Sequence, residues 1–276
     1  MMLSYHRQSF SSYLDRLLSQ GLLTLVPEQA EKDLGIGRRA FIDAATKQCR
    51  KGNLIMPRRG FYVIVPPQYL ALGAPPPSQF IDRLMRHEGR PYYVGLLKAA
   101  ELYGASHQAV MQYQVITDKR LPKIRVGRSV IVIYYRKDID EISDGLAEHK
   151  TDTGFIKVSS LELTMLDLLR YPYAAAGLDN IATVLSDLGP DCDPDKLAVQ
   201  SIAFERTVTQ RLGYLLDWLG FSEKTRALQK MLRQKRPLPW TELEPRRTRR
   251  QPIKREPIER DERWHVIVSR LPEVDE

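Results

Sequence analysis

Two pairs of adjacent arginines carry the clearest chemistry in this chain of 276 residues. Arg38 and Arg39 open a segment in which Phe41, Ala45 and Cys49 recur at helical spacing. That buried stripe leaves Arg38, Arg39, Ile42, Asp43, Thr46, Lys47 and Arg50 on the other faces. Cations at a helix N-terminus oppose the macrodipole, and a purely structural helix gains nothing from two arginines there. A recognition helix does, because its N-terminal end meets base edges in the major groove of duplex DNA. The alternative is a solvated cationic face. Arg58 and Arg59 stand at the turn Pro57-Arg58-Arg59-Gly60. A turn tip held away from the core can reach a flanking minor groove or phosphate line, where arginine is favoured; otherwise it is an ordinary polar turn. The expected DNA contacts are Arg38, Arg39, Thr46, Lys47, Arg58 and Arg59.

The rest of the chain offers little for catalysis. His6, His87, His107, His149 and His265 fall nowhere near metal-ligand spacing. There is no glycine-rich phosphate loop and no nucleophile elbow. Asp187, Asp191, Asp193 and Asp195 cluster, but Asp193-Pro194 reads as a helix cap followed by proline at the first helical position. Ser159 and Glu162 fit an S-x-x-E capping box. Trp218, Trp240 and Trp264 read as packing residues. No enzyme, cofactor or metal site is expected.

The elements that must position the arginines follow from periodicity. Phe10, Tyr13, Leu14, Leu17 and Leu18 predict a first helix that stops at Gly21. Pro27 and Glu28 start a second, carrying Ala30 and Leu34, with a turn at Gly35-Ile36-Gly37. The third helix runs from about Arg38 to Lys51 and closes at Gly52. Leu54 to Met56 and Phe61 to Val65 predict two strands joined by the arginine turn. Three short helices and a hairpin is the winged helix-turn-helix order.

Beyond it the pattern is mixed. A helix is predicted over Tyr93 to Leu102, and extended segments over Gln112 to Ile116 and Lys123 to Val126. A hairpin is expected at Gly127-Arg128 leading into Ser129 to Tyr135. Phe155 to Val158 reads as a strand, followed by a helix to Leu169. Helices over 178–188, 194–219 and 223–234 and a last strand over 264–269 complete the reading. The expected class is α+β: a winged helix-turn-helix domain, then a larger mixed domain with a mostly antiparallel sheet.

The expected boundary falls at residue 77. Pro66-Pro67 through Pro75-Pro76-Pro77 favours an extended linker, which gives domains of 1–77 and 78–276. Residues 236–261 read as a long exposed loop rich in proline and arginine. The formal charge of +8 points to a polyanion, nucleic acid before anionic membrane. Residues 1–77 hold ten Lys or Arg against five Asp or Glu, and residues 230–260 hold eleven against four. The run 246–255 has six bases and no acid; it meets phosphates, an acidic protein or RNA surface, or only solvent. Cys49 and Cys192 lie far apart and predict no disulfide. With no signal-peptide stretch and no apolar run long enough to cross a bilayer, the expected location is cytoplasmic, away from membranes.

The segment Pro57 to Pro66 resembles the wing of the AbiEi antitoxins, the repressor half of the AbiE abortive-infection toxin–antitoxin systems. Tyr93 to Gly104, Val158 to Glu162 with Leu166 to Leu169, and Arg263 to Val268 are similar to successive later segments of that family. The resemblance spans about residues 10 to 270. It implies a winged helix that binds inverted repeats in the operon promoter and represses transcription of its own toxin–antitoxin operon. It also implies a larger domain that counters a nucleotidyltransferase-like toxin, in a system classed as type IV because no stable complex is needed. By motif match Arg58 and Arg59 carry over as wing residues, and the α-helical residues by position. The insertion at 236–261 and the proline stretch exceed the family pattern. Two other readings stay open: a winged-helix regulator whose larger domain binds a small effector, and an enzyme that docks through its winged helix.

Overall fold

The computed structural model describes residues 9–105, 112–234, 237–244 and 256–274. Contacts divide the chain into two units. The first comprises Met1–Tyr93, Met111–Lys137 and Glu148–Lys157; the second comprises Val94–Val110, Asp138–Ala147 and Val158–Glu276.

In the first unit, helix α1 (Phe10–Ser19) is capped by Ser9, whose Oγ accepts from the Ser12 amide at 3.1 Å. Strand β1 (Thr24–Leu25) follows, then α2 (Pro27–Leu34) with proline at its first position. Gly35 closes α2 at φ 60°, the left-handed conformation that a side chain resists. Helix α3 (Arg38–Arg50) leads into β2 (Leu54–Arg58) and β3 (Phe61–Ile64), and the three strands pair in the order β1-β3-β2. One core joins these elements, with Tyr13, Leu14, Leu17, Ala30, Leu34, Phe41, Ala45, Leu54, Tyr62 and Ile64 all buried. Phe41 is its centre. Its ring meets Phe10 at 5.6 Å and Tyr62 at 5.5 Å, both edge-on.

The proline stretch is packed, contrary to the expected extended linker. It forms two short 3-10 turns, Pro67–Leu72 and Pro77–Gln79, and buries Pro66, Pro75 and Pro77. Prolines with fixed φ suit tight turns as well as extended chain. The turn then continues into α4 (Ile81–His87). The expected boundary at residue 77 falls within this first unit.

The unit is completed by strands contributed from later in the chain. Strands β4 (Tyr92–Val94), β5 (Gln112–Thr117), β6 (Ile124–Val126), β7 (Ser129–Tyr135), β8 (Leu146–Thr151) and β9 (Gly154–Ser159) form a sheet ordered β6-β7-β5-β4-β9-β8. It is mixed: β5 and β7 run parallel, as do β4 and β9, while β6 and β7 are antiparallel. The expected hairpin at Gly127-Arg128 is present, with Val126 opposite Ser129. A Cβ on Gly127 would sit 2.2 Å from the Leu72 carbonyl oxygen, and Arg128 N donates to that same oxygen at 3.0 Å. Only glycine admits this close approach.

The second unit is mostly helical. Its helices are α5 (Leu96–Leu102), α6 (Leu161–Arg170), α7 (Leu178–Leu188), α8 (Pro194–Gln200), α9 (Arg206–Trp218) and α10 (Arg226–Gln234). A small sheet of β10 (Thr241–Glu242), β11 (Glu259–Asp261) and β12 (Val266–Val268) has β12 in the middle. The α+β class read from the sequence is therefore the one the chain adopts. Three local readings change. The helix expected over Tyr93 to Leu102 begins only at Leu96, after strand β4. The helix expected over 194–219 is broken by a 3-10 turn at Ser201–Ala203. The expected loop at 236–261 has strands at both flanks, and residues 245–255 lie outside the described residues.

Candidate nucleic-acid interface

Helix α3 buries Phe41, Ala45 and Gln48, and leaves Arg38, Arg39, Ile42, Asp43, Thr46, Lys47 and Arg50 exposed. Gln48 was not anticipated in the buried stripe. Its side-chain oxygen accepts from Asn53 Nδ2 at 3.0 Å, and its carbonyl from the Asn53 amide at 3.1 Å, fixing the exit from the helix. The N-terminus has Gly37 as its cap and no side-chain oxygen on its free amides. Such an end attracts anions.

The two arginines at that end differ. Arg38 Nη1 lies 2.9 Å from Glu31 and 3.5 Å from Glu28, both on α2. The hydrogen bond to Glu31 raises its already high pKa further. Arg38 therefore has a structural use: acids on the preceding helix offset its unfavourable place at the helix N-terminus. Its side chain still keeps 52% of its surface open. Arg39 is exposed and makes no ion pair among the described residues. Thr46 and Lys47 lie two turns on, also exposed.

The wing repeats the contrast. Strand β2 runs through Pro57 to Arg58 with a bulge between Ile55 and Arg58, one residue longer than its partner strand there. Proline cannot donate to the ladder, so a bulge is where a strand tolerates it. Arg58 pairs with Phe61, leaving Arg59 and Gly60 as the turn, with Gly60 at φ 78°. Arg58 is turned back onto its own unit. Its Nη2 donates to the Pro122 carbonyl at 2.6 Å and its Nε lies 3.3 Å from Glu88 Oε1. The tip is thus clasped, where the sequence suggested one held away from the core. Arg59 is exposed.

Other predicted sites resolve into structural roles. Ser160, not Ser159, caps α6, its Oγ accepting from the Leu163 amide at 3.2 Å. Glu162 is buried and accepts from the Asp193 amide at 3.0 Å, so it closes no capping box on its own helix. Asp193 caps α8 as expected, accepting from the amides of Asp195 and Lys196 at 3.0 and 3.2 Å. Those bonds hold its pKa below the ordinary carboxylate value. A groove of about 880 Å³ lies within the first unit, lined by residues including Tyr13, Arg16, Asp33, Arg83, Arg86 and His87.

Residues 93–218 match the family model of the AbiEi antitoxin C-terminal domain. The chain carries an AbiEi-type antitoxin domain. The matched stretch contains α5, the six-stranded sheet from β4 onward and the helices through α9. The α3 helix and the wing precede the AbiEi-type match and the small C-terminal sheet follows it. Along nearly its whole length the chain is also similar to a crystal structure of the RV2827C protein from Mycobacterium tuberculosis. The TM-score is 0.67 at 18% identity, covering 94% of this chain and 90% of that one. At that identity the likeness is one of fold. No match is found among curated proteins. Among the described residues no helix is long and apolar enough to cross a membrane.

Proposed function

We propose that the protein is a DNA-binding antitoxin that represses its own toxin–antitoxin operon through α3 and the wing. In this reading the larger domain neutralises a nucleotidyltransferase-like toxin, without need of a stable complex between the two. One observation carries the DNA half. Arg39, Thr46 and Lys47 of α3 and Arg59 of the wing stay exposed while the opposite faces of both elements are fixed in one core. Arg38 and Arg58 complete the interface from positions where carboxylates hold them. Lys47 and Arg59 are suited to phosphates, and Arg39 at the helix end to a base edge such as the O6 and N7 of guanine. The toxin half is supported by the antitoxin-domain match over 93–218.

Footprinting the full chain on its own upstream duplex tests the first half, with protection of inverted repeats expected. Random protection, or none, counts against it. Arg39→Ala with Arg59→Ala separates the halves: repression of a promoter fusion is expected to fail while rescue of cells from the cognate toxin persists. Loss of both together would refute the division.

A further inference from the structure

The wing tip is fixed from below at several points. Arg58 spans Glu88 at the end of α4 and the Pro122 carbonyl in the β5–β6 connection, at 3.3 and 2.6 Å. His87 Nε2 lies 3.2 Å from the Arg59 carbonyl oxygen, and its ring packs on Phe61 at 5.4 Å. The backbone of Arg59 is thus held while its side chain faces solvent. Arg58 and Glu88 each keep only 20% of their side-chain surface exposed, so each neutralises the other in a partly desolvated place.

Resting on the DNA-binding reading above, we infer that Arg58 is a positioning residue: its clasp on Glu88 and Pro122 sets the turn from which Arg59 alone reaches the phosphates. A cation already neutralised by a carboxylate displaces no counterions from DNA, whereas a free one displaces about one. Fixing the tip beforehand also removes ordering cost on binding. The two adjacent arginines therefore leave different signatures in the salt dependence of binding.

Gel-shift titrations of the full chain on a duplex of its own upstream DNA, from 50 to 200 mM salt, separate them. Arg59→Ala is expected to shallow the log–log salt slope by about 0.9. Arg58→Ala and Glu88→Gln are each expected to weaken binding while keeping the wild-type slope. Both are expected to speed amide exchange at residues 58–61, which confirms the clasp apart from affinity. The inference is overturned if Arg58→Ala loses slope as Arg59→Ala does. It is equally overturned if Glu88→Gln steepens the slope by freeing a second phosphate contact, or leaves affinity and exchange unchanged. If the wild-type chain retards no duplex, the DNA reading itself fails, and the positioning role with it. A slope loss confined to Arg58→Ala removes only the latter.

Discussion

Arginines behave oppositely in two regions of this molecule. Around α9 and β12, Arg206, Arg211 and Arg263 are consumed by the fold. Arg206 donates to the Pro237 carbonyl at 2.8 Å, and Arg211 to the Glu242 carbonyl at 2.8 Å and to Thr241 at 3.2 Å. Arg263 lies 3.2 Å from Asp217 and donates to Thr225 at 3.1 Å. Asp217 also accepts from the fully buried Trp264 indole at 2.6 Å. On α3 and the wing, by contrast, Arg39 and Arg59 are left to solvent. A guanidinium has five donors to satisfy. Where the fold supplies the acceptors an arginine is structural, and where it supplies none the acceptors must come from elsewhere.

The sharpest test of the structural side is Trp264→Ala, which empties the pocket beside Gly213 in α9, where any Cβ would sit 2.3 Å from the indole. A loss of roughly 3–5 kcal/mol is expected, read as a drop in calorimetric melting temperature with duplex binding retained. Next comes Asp217→Asn, which weakens the bonds to Trp264 and Arg263 at once. About 1–3 kcal/mol should be lost, again in the melting curve. A melting temperature unchanged by either would mean that the Asp217 bonds to Trp264 and Arg263 are ornamental and the contrast between the regions false.

On the other side, Arg39→Ala should lower operator affinity by roughly tenfold, as loss of a bidentate base contact does, with no change in melting temperature. Glu31→Gln should do the reverse of damage. Released from its main partner, Arg38 becomes available to phosphate, so affinity should hold or rise and the salt slope should steepen. A fall in affinity would show that the ion pair orients α3 instead.

How far the sequence revealed this depends on the length and periodicity of each element. Helices α1 to α3 and the β6–β7 hairpin were legible because apolar spacing and glycine turns agreed. Strand β1 is only two residues long and carries no periodic signal, yet it completes the wing sheet. Tyr93 and Val94 fit the first turn of the helix expected over Tyr93 to Leu102, since a short apolar run fits either structure until Gly95 breaks it. The six residues expected to contact DNA stand out by side-chain type and position alone. What charge could not tell was that Glu31 on the preceding helix and Glu88 at the end of α4 take up Arg38 and Arg58. Tertiary pairing of that kind leaves no local trace.

Acid should expose the weaker of the remaining ion pairs. The Asp179 carboxyl is held below its ordinary pKa chiefly by the hydrogen bond from Arg270 at 2.6 Å, with the Glu273 amide adding to it. A depressed folded pKa contributes stability that is present above the unfolded value and is lost as pH falls through the folded one. Asp179→Asn should therefore flatten the melting temperature between pH 5 and acid extremes by a small amount. The smallest effect concerns Cys192. Burial, with Glu162 nearby, pushes its thiol up to about 12. Iodoacetamide at mild alkaline pH should leave it unmodified in the folded chain, as mass spectrometry would show.

The first unit is assembled from three stretches of chain separated by stretches of the second. A ribosome therefore cannot finish the unit that holds α3 and the wing before some 157 residues have emerged, by which time pieces of the other unit are already in the open. The two halves must mature together, and no single nick or stop codon releases either one whole. A chain built this way ties the maturation of each unit to the completion of the whole polypeptide.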